Sequence, residues 1–188
     1  MKLKNIFILC GLLIITAGCA KPPLVEKQRA EEAVLKAGEN DNAREYAKDV
    51  LDRAKRAIDN MNNAYNSKRY EAAKNYADEA VTLAKEAVDE GNKRAAKAKE
   101  DAASLLSGLR PEIEETSRNV NEARYSLKNL DYDALDEGIK NANNVTDQAE
   151  VDQARGRYND AIEKGKRVRS NLADINSQVA NAVIRKKI

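Results

Sequence analysis

The sequence predicts an all-α protein, because from Leu24 onward apolar residues recur at three- and four-residue steps and no segment alternates with a two-residue period. The recurring residue is mostly alanine. Aromatic residues make up only 4% of the 188-residue chain and charged residues 34%, so any buried seam must be built from small side chains. Ala has the highest helix propensity and lets paired helices approach to the near end of the usual 8–10 Å separation, roughly. It also buries little apolar area per residue, so such a fold gains its core through helix length. The expected architecture is a set of elongated antiparallel helical hairpins, a coiled-coil-like bundle with Ala-rich seams.

Residues 1–18 read as a signal peptide. Lys2 and Lys4 form a basic start, Ile6 to Ile15 an apolar run broken only by Gly11, and Thr16-Ala17-Gly18-Cys19 a small-residue close. The run is shorter than the roughly 20 residues of a membrane-spanning helix and has the plan of a secretory signal. The closing tetrapeptide resembles a lipobox, the motif read by the bacterial lipoprotein pathway, with Thr16 where Leu is usual. The resemblance implies that the Cys19 thiol receives a diacylglycerol, that cleavage follows Gly18, and that the new amino group is acylated. Each buried CH₂ adds about 0.8 kcal/mol, so several acyl chains anchor stably where one holds marginally. Ala20 follows the cysteine, where Asp would resemble the inner-membrane retention signal, so the outer membrane is expected. Residues 19–25 then form the lipidated Cys and a short tether, in which Pro22 and Pro23 favour extended geometry.

Two helical regions follow, an Ala-rich hairpin expected over 26–108 and a second, continuous with it, over 109–188. The first stripe runs Ala47, Val50, Ala54, Ala57, Met61 and Ala64. A second runs Ala73, Ala77, Ala80, Ala84 and Ala87, continuing as Ala95, Ala98, Ala102, Leu105 and Leu109. The last is Tyr158, Ala161, Gly165, Val168, Leu172, Ile175, Val179 and Ala182. Breaks are expected at Asn66 to Arg69, with Ser67 as the N-cap, and at Asn129 to Asp131. A further break is expected at Gly38 to Asp41, where Asn42 and Glu45 have capping-box spacing. Pro111 marks a kink or a new helix start, and the apolar phase running through Leu105, Leu109 and Ile113 favours the kink. An internal repeat at an offset of 62 residues sets Tyr70, Ala80, Leu83 and Ala87 against Tyr132, Ala142, Val145 and Ala149.

Ala37-Gly38, Tyr46-Ala47, Ala54, Ala57, Tyr70 and the alanines from Ala73 to Ala87 resemble an uncharacterised family of alanine-rich lipoprotein domains of diderm bacteria. The likeness spans about Ala30 to Glu90, with Lys48 where family members often carry Pro. It implies an envelope lipoprotein and supplies no catalytic residues. A weaker resemblance is to murein lipoprotein, which couples a terminal Lys to peptidoglycan. Here the sequence reads Arg185-Lys186-Lys187-Ile188, so covalent coupling by that route is not expected.

Composition narrows the chemistry. The chain has no His and no Trp, and its two Cys, Cys10 and Cys19, both lie in the leader region. Without His it lacks the usual general base at neutral pH and the commonest metal ligand. Without Lys2 and Lys4 the basic count falls from 33 to 31, matching 31 acidic residues, so there is no general attraction to nucleic acid. No catalytic, cofactor-binding or metal-ligating residue is expected, and Asp41 lies in an acidic stretch without calcium-loop spacing.

Lys164, Lys166, Arg167 and Arg169 form a basic cluster suited to anionic lipid or cell-wall polymer, or simply to the solvated face of a helix. The basic end at Arg185 to Lys187 is equally suited to a helix C-terminus. Tyr65, Tyr70, Tyr125 and Tyr132 flank two turns, where they are expected to pack across helix ends rather than meet a partner. The leading functional expectation is a non-catalytic spacer, scaffold or interaction module. It would be anchored by acylated Cys19 on the periplasmic face of the outer membrane, with an envelope protein or cell-wall partner and scope for oligomerisation. The alternative is a surface-exposed adhesin or antigen. An enzyme using paired carboxylates would need a pocket that Ala-seamed helices rarely provide.

Overall fold

The computed structural model describes residues 21–187, so the signal peptide and Cys19 lie outside the described residues. Those residues form six α-helices and no strand, the all-α class that the periodicity predicts. They are α1 (Leu24–Glu39), α2 (Asp41–Tyr46), α3 (Lys48–Asn66), α4 (Tyr70–Ser126), α5 (Tyr132–Ala154) and α6 (Tyr158–Lys187). Two compact units result, one from residues up to Arg44 together with Lys48–Ala87, the other from Glu45–Ala47 together with Val88 onward.

In the first unit α1 packs on α3 through Ala30, Val34 and Ala37. The predicted α3 stripe is buried at every position from Val50 to Ala64, and so is the α4 stripe from Ala73 to Ala87. Polar groups seal the edges: Lys27 Nζ donates to Asn62 Oδ1 at 2.5 Å and lies 5.9 Å from the Tyr65 ring centroid.

The turn between α3 and α4 follows from backbone hydrogen bonding. The Arg69 amide donates to the Ala64 carbonyl and the Lys68 amide to the Tyr65 carbonyl, both at 2.9 Å. This six-to-one and five-to-two pair is a Schellman motif, which requires a left-handed residue, here Lys68 at φ 57°. Ser67 therefore ends α3 and does not cap α4. The expected helix start at Ser67 moves to Tyr70, because α3's last carbonyls claim the intervening amides.

The second unit is built from α4 beyond Ala87 with α5 and α6. Its main core joins Leu106, Leu109 and Ile113 of α4 to Val145 of α5 and Val168 and Leu172 of α6. A smaller cluster follows at Val120, Leu135 and Ile175. Leu106 occupies the seam position expected for Leu105. Leu105 is half-buried and lies against Gly165, where an added Cβ would come within 2.7 Å of Leu105 Cδ2. The predicted α6 stripe is buried from Ala161 to Ile175. Pro111 lies inside α4, which runs 57 residues without ending. It sits on an exposed face, where the carbonyl it cannot serve is open to water.

The α5–α6 turn repeats the α3–α4 turn. The Arg157 amide donates to the Asp152 carbonyl at 2.9 Å and the Gly156 amide to the Gln153 carbonyl at 3.0 Å, with Gly156 at φ 79°. The two hairpins thus correspond at an offset of 88 residues: α3 ends at Asn66 and α5 at Ala154, while α4 starts at Tyr70 and α6 at Tyr158. Buried positions match as well, Ala54 with Ala142, Ala73 with Ala161, and Ala84 with Leu172. The 62-residue offset read from the sequence instead superposes α4 on the helix that follows it. Heptad spacing alone produces such matches between any two seamed helices.

Two other boundaries were only partly readable. The break at Gly38 to Asp41 exists, but its cap is Asn40, whose Oδ1 accepts from the Ala43 amide at 2.9 Å; Asn42 lies within α2. The break between α2 and α3 has no Gly or Pro to announce it. There Arg94 Nη1 donates to the Tyr46 carbonyl at 3.0 Å, giving that carbonyl a partner outside the helix ladder.

Candidate functional site

A concavity of the second unit runs along α4 and α6, with a volume of about 900 Å³. Each helix presents a stripe at three- and four-residue spacing: Glu112, Thr116, Asn119 and Ala123 from α4, and Arg169, Leu172, Asn176 and Val179 from α6. Such stripes keep one face in line over about three turns. At one end Arg169 Nη2 pairs with Glu112 Oε1 at 2.8 Å. In the middle, Asn176 Nδ2 donates to Thr116 Oγ1 at 2.8 Å while its Oδ1 accepts from Asn119 Nδ2 at 3.1 Å. Thr116 is only 1% exposed, so this ladder is anchored in the core. Beyond it the groove turns apolar, through Val179, Ala180 and Val183. Small side chains at Ala123, Ala173 and Ala180 leave room for another backbone to approach. The arrangement is suited to holding a helix, and it converges no set of acid, base and nucleophile.

A second polar feature is structural. Asp152, 2% exposed, receives the Arg157 guanidinium and the Lys164 ammonium. The hydrogen bond from Lys164, then the one from Arg157, hold its carboxyl below the usual range against burial, which acts the other way. Nearby in the same unit, burial and then the adjacent Glu45 carboxylate push the Tyr46 hydroxyl up to about 12. The Tyr158 and Asn159 amides of the first turn of α6 oppose that shift without forming a hydrogen bond of ordinary geometry.

The basic cluster expected on α6 does not form one patch. Lys164 is committed to Asp152 and Arg169 to Glu112, while Lys166 and Arg167 are exposed. Of the four tyrosines, Tyr65 and Tyr70 pack with ring centroids 5.8 Å apart, and Tyr132 donates its hydroxyl to the Leu127 carbonyl at 2.7 Å. Arg124 covers the Tyr132 ring at 4.8 Å. Tyr125 departs from the expected packing and is 94% exposed, since its position on the last turn of α4 faces away from the other helices. Sequence periodicity missed the Thr116–Asn176–Asn119 ladder, because polar residues on a seam read as breaks in it. The cue on α4 was Thr116, in phase with Leu109, Ile113 and Val120.

Among the described residues no group of His, Cys, Asp and Glu could hold a metal ion, and no helix is long and apolar enough to cross a membrane. Compared with models of known families, with curated proteins and with solved structures, the chain matches none.

Proposed function

We propose that this chain is an envelope lipoprotein, anchored through acylated Cys19, whose helical units act as a non-catalytic scaffold or interaction module. The reading rests above all on Thr16-Ala17-Gly18-Cys19 closing a basic-then-apolar leader, with Pro22-Pro23 and a long Ala-seamed helical region directly after it. The all-α fold and a groove sized for a helix support an interaction role over a catalytic one. The outer membrane is the proposed location, periplasmic face, because Ala20 stands where a retention signal would carry Asp. The alanine pattern from Ala30 to Glu90, which resembles alanine-rich lipoprotein domains, supports this reading.

The deciding experiment is mass spectrometry of the processed protein from intact bacteria, with metabolic labelling by a clickable palmitate analogue. The wild type should begin at Cys19 carrying diacylglycerol and an N-acyl chain, and Cys19→Ala should lose both the label and the membrane fraction. A processed protein with an unmodified Cys19 would overturn the proposal. Protease treatment of whole cells separates the two faces: a periplasmic scaffold survives, and a surface adhesin is cut.

A further inference from the structure

The first unit leaves apolar side chains uncovered at the end from which the chain leads back toward Cys19. Ala30, Val34 and Ala37 of α1 are buried, yet Leu24 and Val25 in its first turn are 61% and 77% exposed. That first turn lies beside the last turn of α3, because Lys27 Nζ donates to Asn62 Oδ1 and sits over the Tyr65 ring. The α3–α4 turn is therefore at the same end, with Lys68 and Arg69 exposed and Tyr65 and Tyr70 half-buried. Lys68 holds its cation there from the left-handed region, at φ 57°, where glycine would sit without steric penalty. Lys27 is paired with Glu31, and the exposed cations Lys21, Lys68 and Arg69 outnumber the nearby carboxylates Glu26 and Glu71.

We propose that this end of the first unit docks onto the bilayer that holds Cys19. The docking rests on the acylated Cys19 proposed above and adds a direct contact between the folded unit and lipid. Pro23 is buried, and its carbonyl accepts from the Lys27 amide at 3.0 Å, so the folded unit begins there. Pro23 stands four residues after Cys19, and four extended residues span at most about 14 Å. An end held that close to the headgroups meets them. Leu24 and Val25 then enter the boundary between headgroups and acyl chains, where removing apolar surface from water is favourable. Lys21, Lys68 and Arg69 face headgroup phosphates, and Tyr65 and Tyr70 pair an apolar ring with a polar tip, which suits the same depth. The contact also gives Lys68 a role that glycine, better fitted to the backbone, would not fill. The tether favours the bilayer over a protein as the occupant, since it keeps this end beside lipid whatever else is bound.

The chain has no Trp, so one substitution supplies a single fluorescent reporter. Acylated protein carrying Val25→Trp is reconstituted into vesicles of phosphatidylethanolamine and phosphatidylglycerol, with and without bromine on the acyl chains. The control carries Leu35→Trp, at a side chain 63% exposed but about 15 Å further along α1 at the ordinary helical rise. The Val25→Trp emission should shift to the blue and be quenched by brominated lipid about twofold more than the control, or beyond. In the Val25→Trp background, Leu24→Glu should lower that quenching. Lys68→Gly should lower it too, moving the ratio of docked to undocked molecules by about fivefold. Because Lys68→Gly relieves the backbone, unfolding does not account for such a loss, and far-UV circular dichroism checks each variant. Vesicle-bound, acylated protein whose Val25→Trp emission is quenched no more than the control overturns the docking and leaves the anchor standing. Blue-shifted emission that brominated lipid does not quench also overturns it, giving the patch to a protein contact. A bare Cys19, found by mass spectrometry of the same preparation, overturns anchor and docking together.

Discussion

Asp152 and Arg157 are joined twice: the Arg157 amide closes the α5–α6 turn on the Asp152 carbonyl at 2.9 Å, and the Arg157 guanidinium meets the Asp152 carboxylate. Main-chain and side-chain contacts thus set the same turn, and Lys164 from α6 completes the charge balance. The corresponding position of the other hairpin, Ala64, has only the backbone bond.

This difference adds an acid-sensitive contact to the turn of the second hairpin. The folded-state carboxyl of Asp152 is held below its unfolded value, with the Lys164 hydrogen bond as the largest cause. Its stabilising contribution is therefore fully present above the unfolded value, near about pH 4, and is lost as pH falls through the lower folded value. Asp152→Asn should lower the melting temperature at neutral pH, leaving Arg157 and Lys164 without a counter-charge. The gap between variant and wild type should close as the pH drops below about 4, since protonation makes the two side chains alike. Thermal unfolding followed across that range checks it, and a gap constant with pH would refute it.

The two Schellman turns predict opposite outcomes for glycine exchange. Lys68 carries a Cβ at φ 57°, a conformation that glycine adopts without steric penalty. Lys68→Gly should stabilise the protein by about 0.5–1 kcal/mol, while Gly156→Ala, at φ 79°, should destabilise it by about 1 kcal/mol. Chemical denaturation of the two variants reads both signs.

Why Lys68 escaped a sequence reading and the seams did not has a physical basis. Seam positions such as Ala54, Ala77 and Val168 repeat, so many residues carry one signal and single ambiguities average out. A turn is set by one or two residues, and a lysine in the left-handed region has no marker in its side chain. Likewise the break after Tyr46 depends on Arg94, 48 residues away, and local spacing cannot report it. The groove was hidden for a related reason, since Thr116 and Asn176 gain their meaning only from facing one another across two helices.

Glycine within helices gives a second pair of opposed outcomes. Ala is intrinsically better than Gly in a helix interior by about 1 kcal/mol. At Gly38, where an added Cβ meets nothing within 4 Å, substitution by Ala should recover part of that, about 0.5 kcal/mol so close to the helix end. At Gly165 the same Cβ would lie 2.7 Å from Leu105 Cδ2 and 3.0 Å from its Cγ. Overpacking of this kind costs about 1–3 kcal/mol, which outweighs the helix gain, so Gly165→Ala should be destabilising. Adding Leu105→Ala removes the obstructing atoms, and in that background Gly165→Ala should become neutral or stabilising.

Two buried threonines look equivalent in burial but differ in what their hydroxyls meet. Thr146, 0% exposed, donates its hydroxyl to the Ala142 carbonyl at 2.8 Å, one turn back on its own helix. That carbonyl keeps its helical partner when the hydroxyl is removed, so Thr146→Val, close in shape, should change stability by less than about 0.5 kcal/mol. Thr116, 1% exposed, instead accepts from Asn176 across the groove at 2.8 Å. Thr116→Val leaves the Asn176 amide without that acceptor and frees it to swing away from Asn119, at a cost of about 1 kcal/mol. Paired with Asn176→Ala in a double-mutant cycle, Thr116→Val should show a coupling of about 0.5 kcal/mol or more, whereas Thr146→Val should show none. Equal effects at the two threonines would mean that the ladder contributes nothing beyond burial, and the polar layer of the groove would lose its structural role.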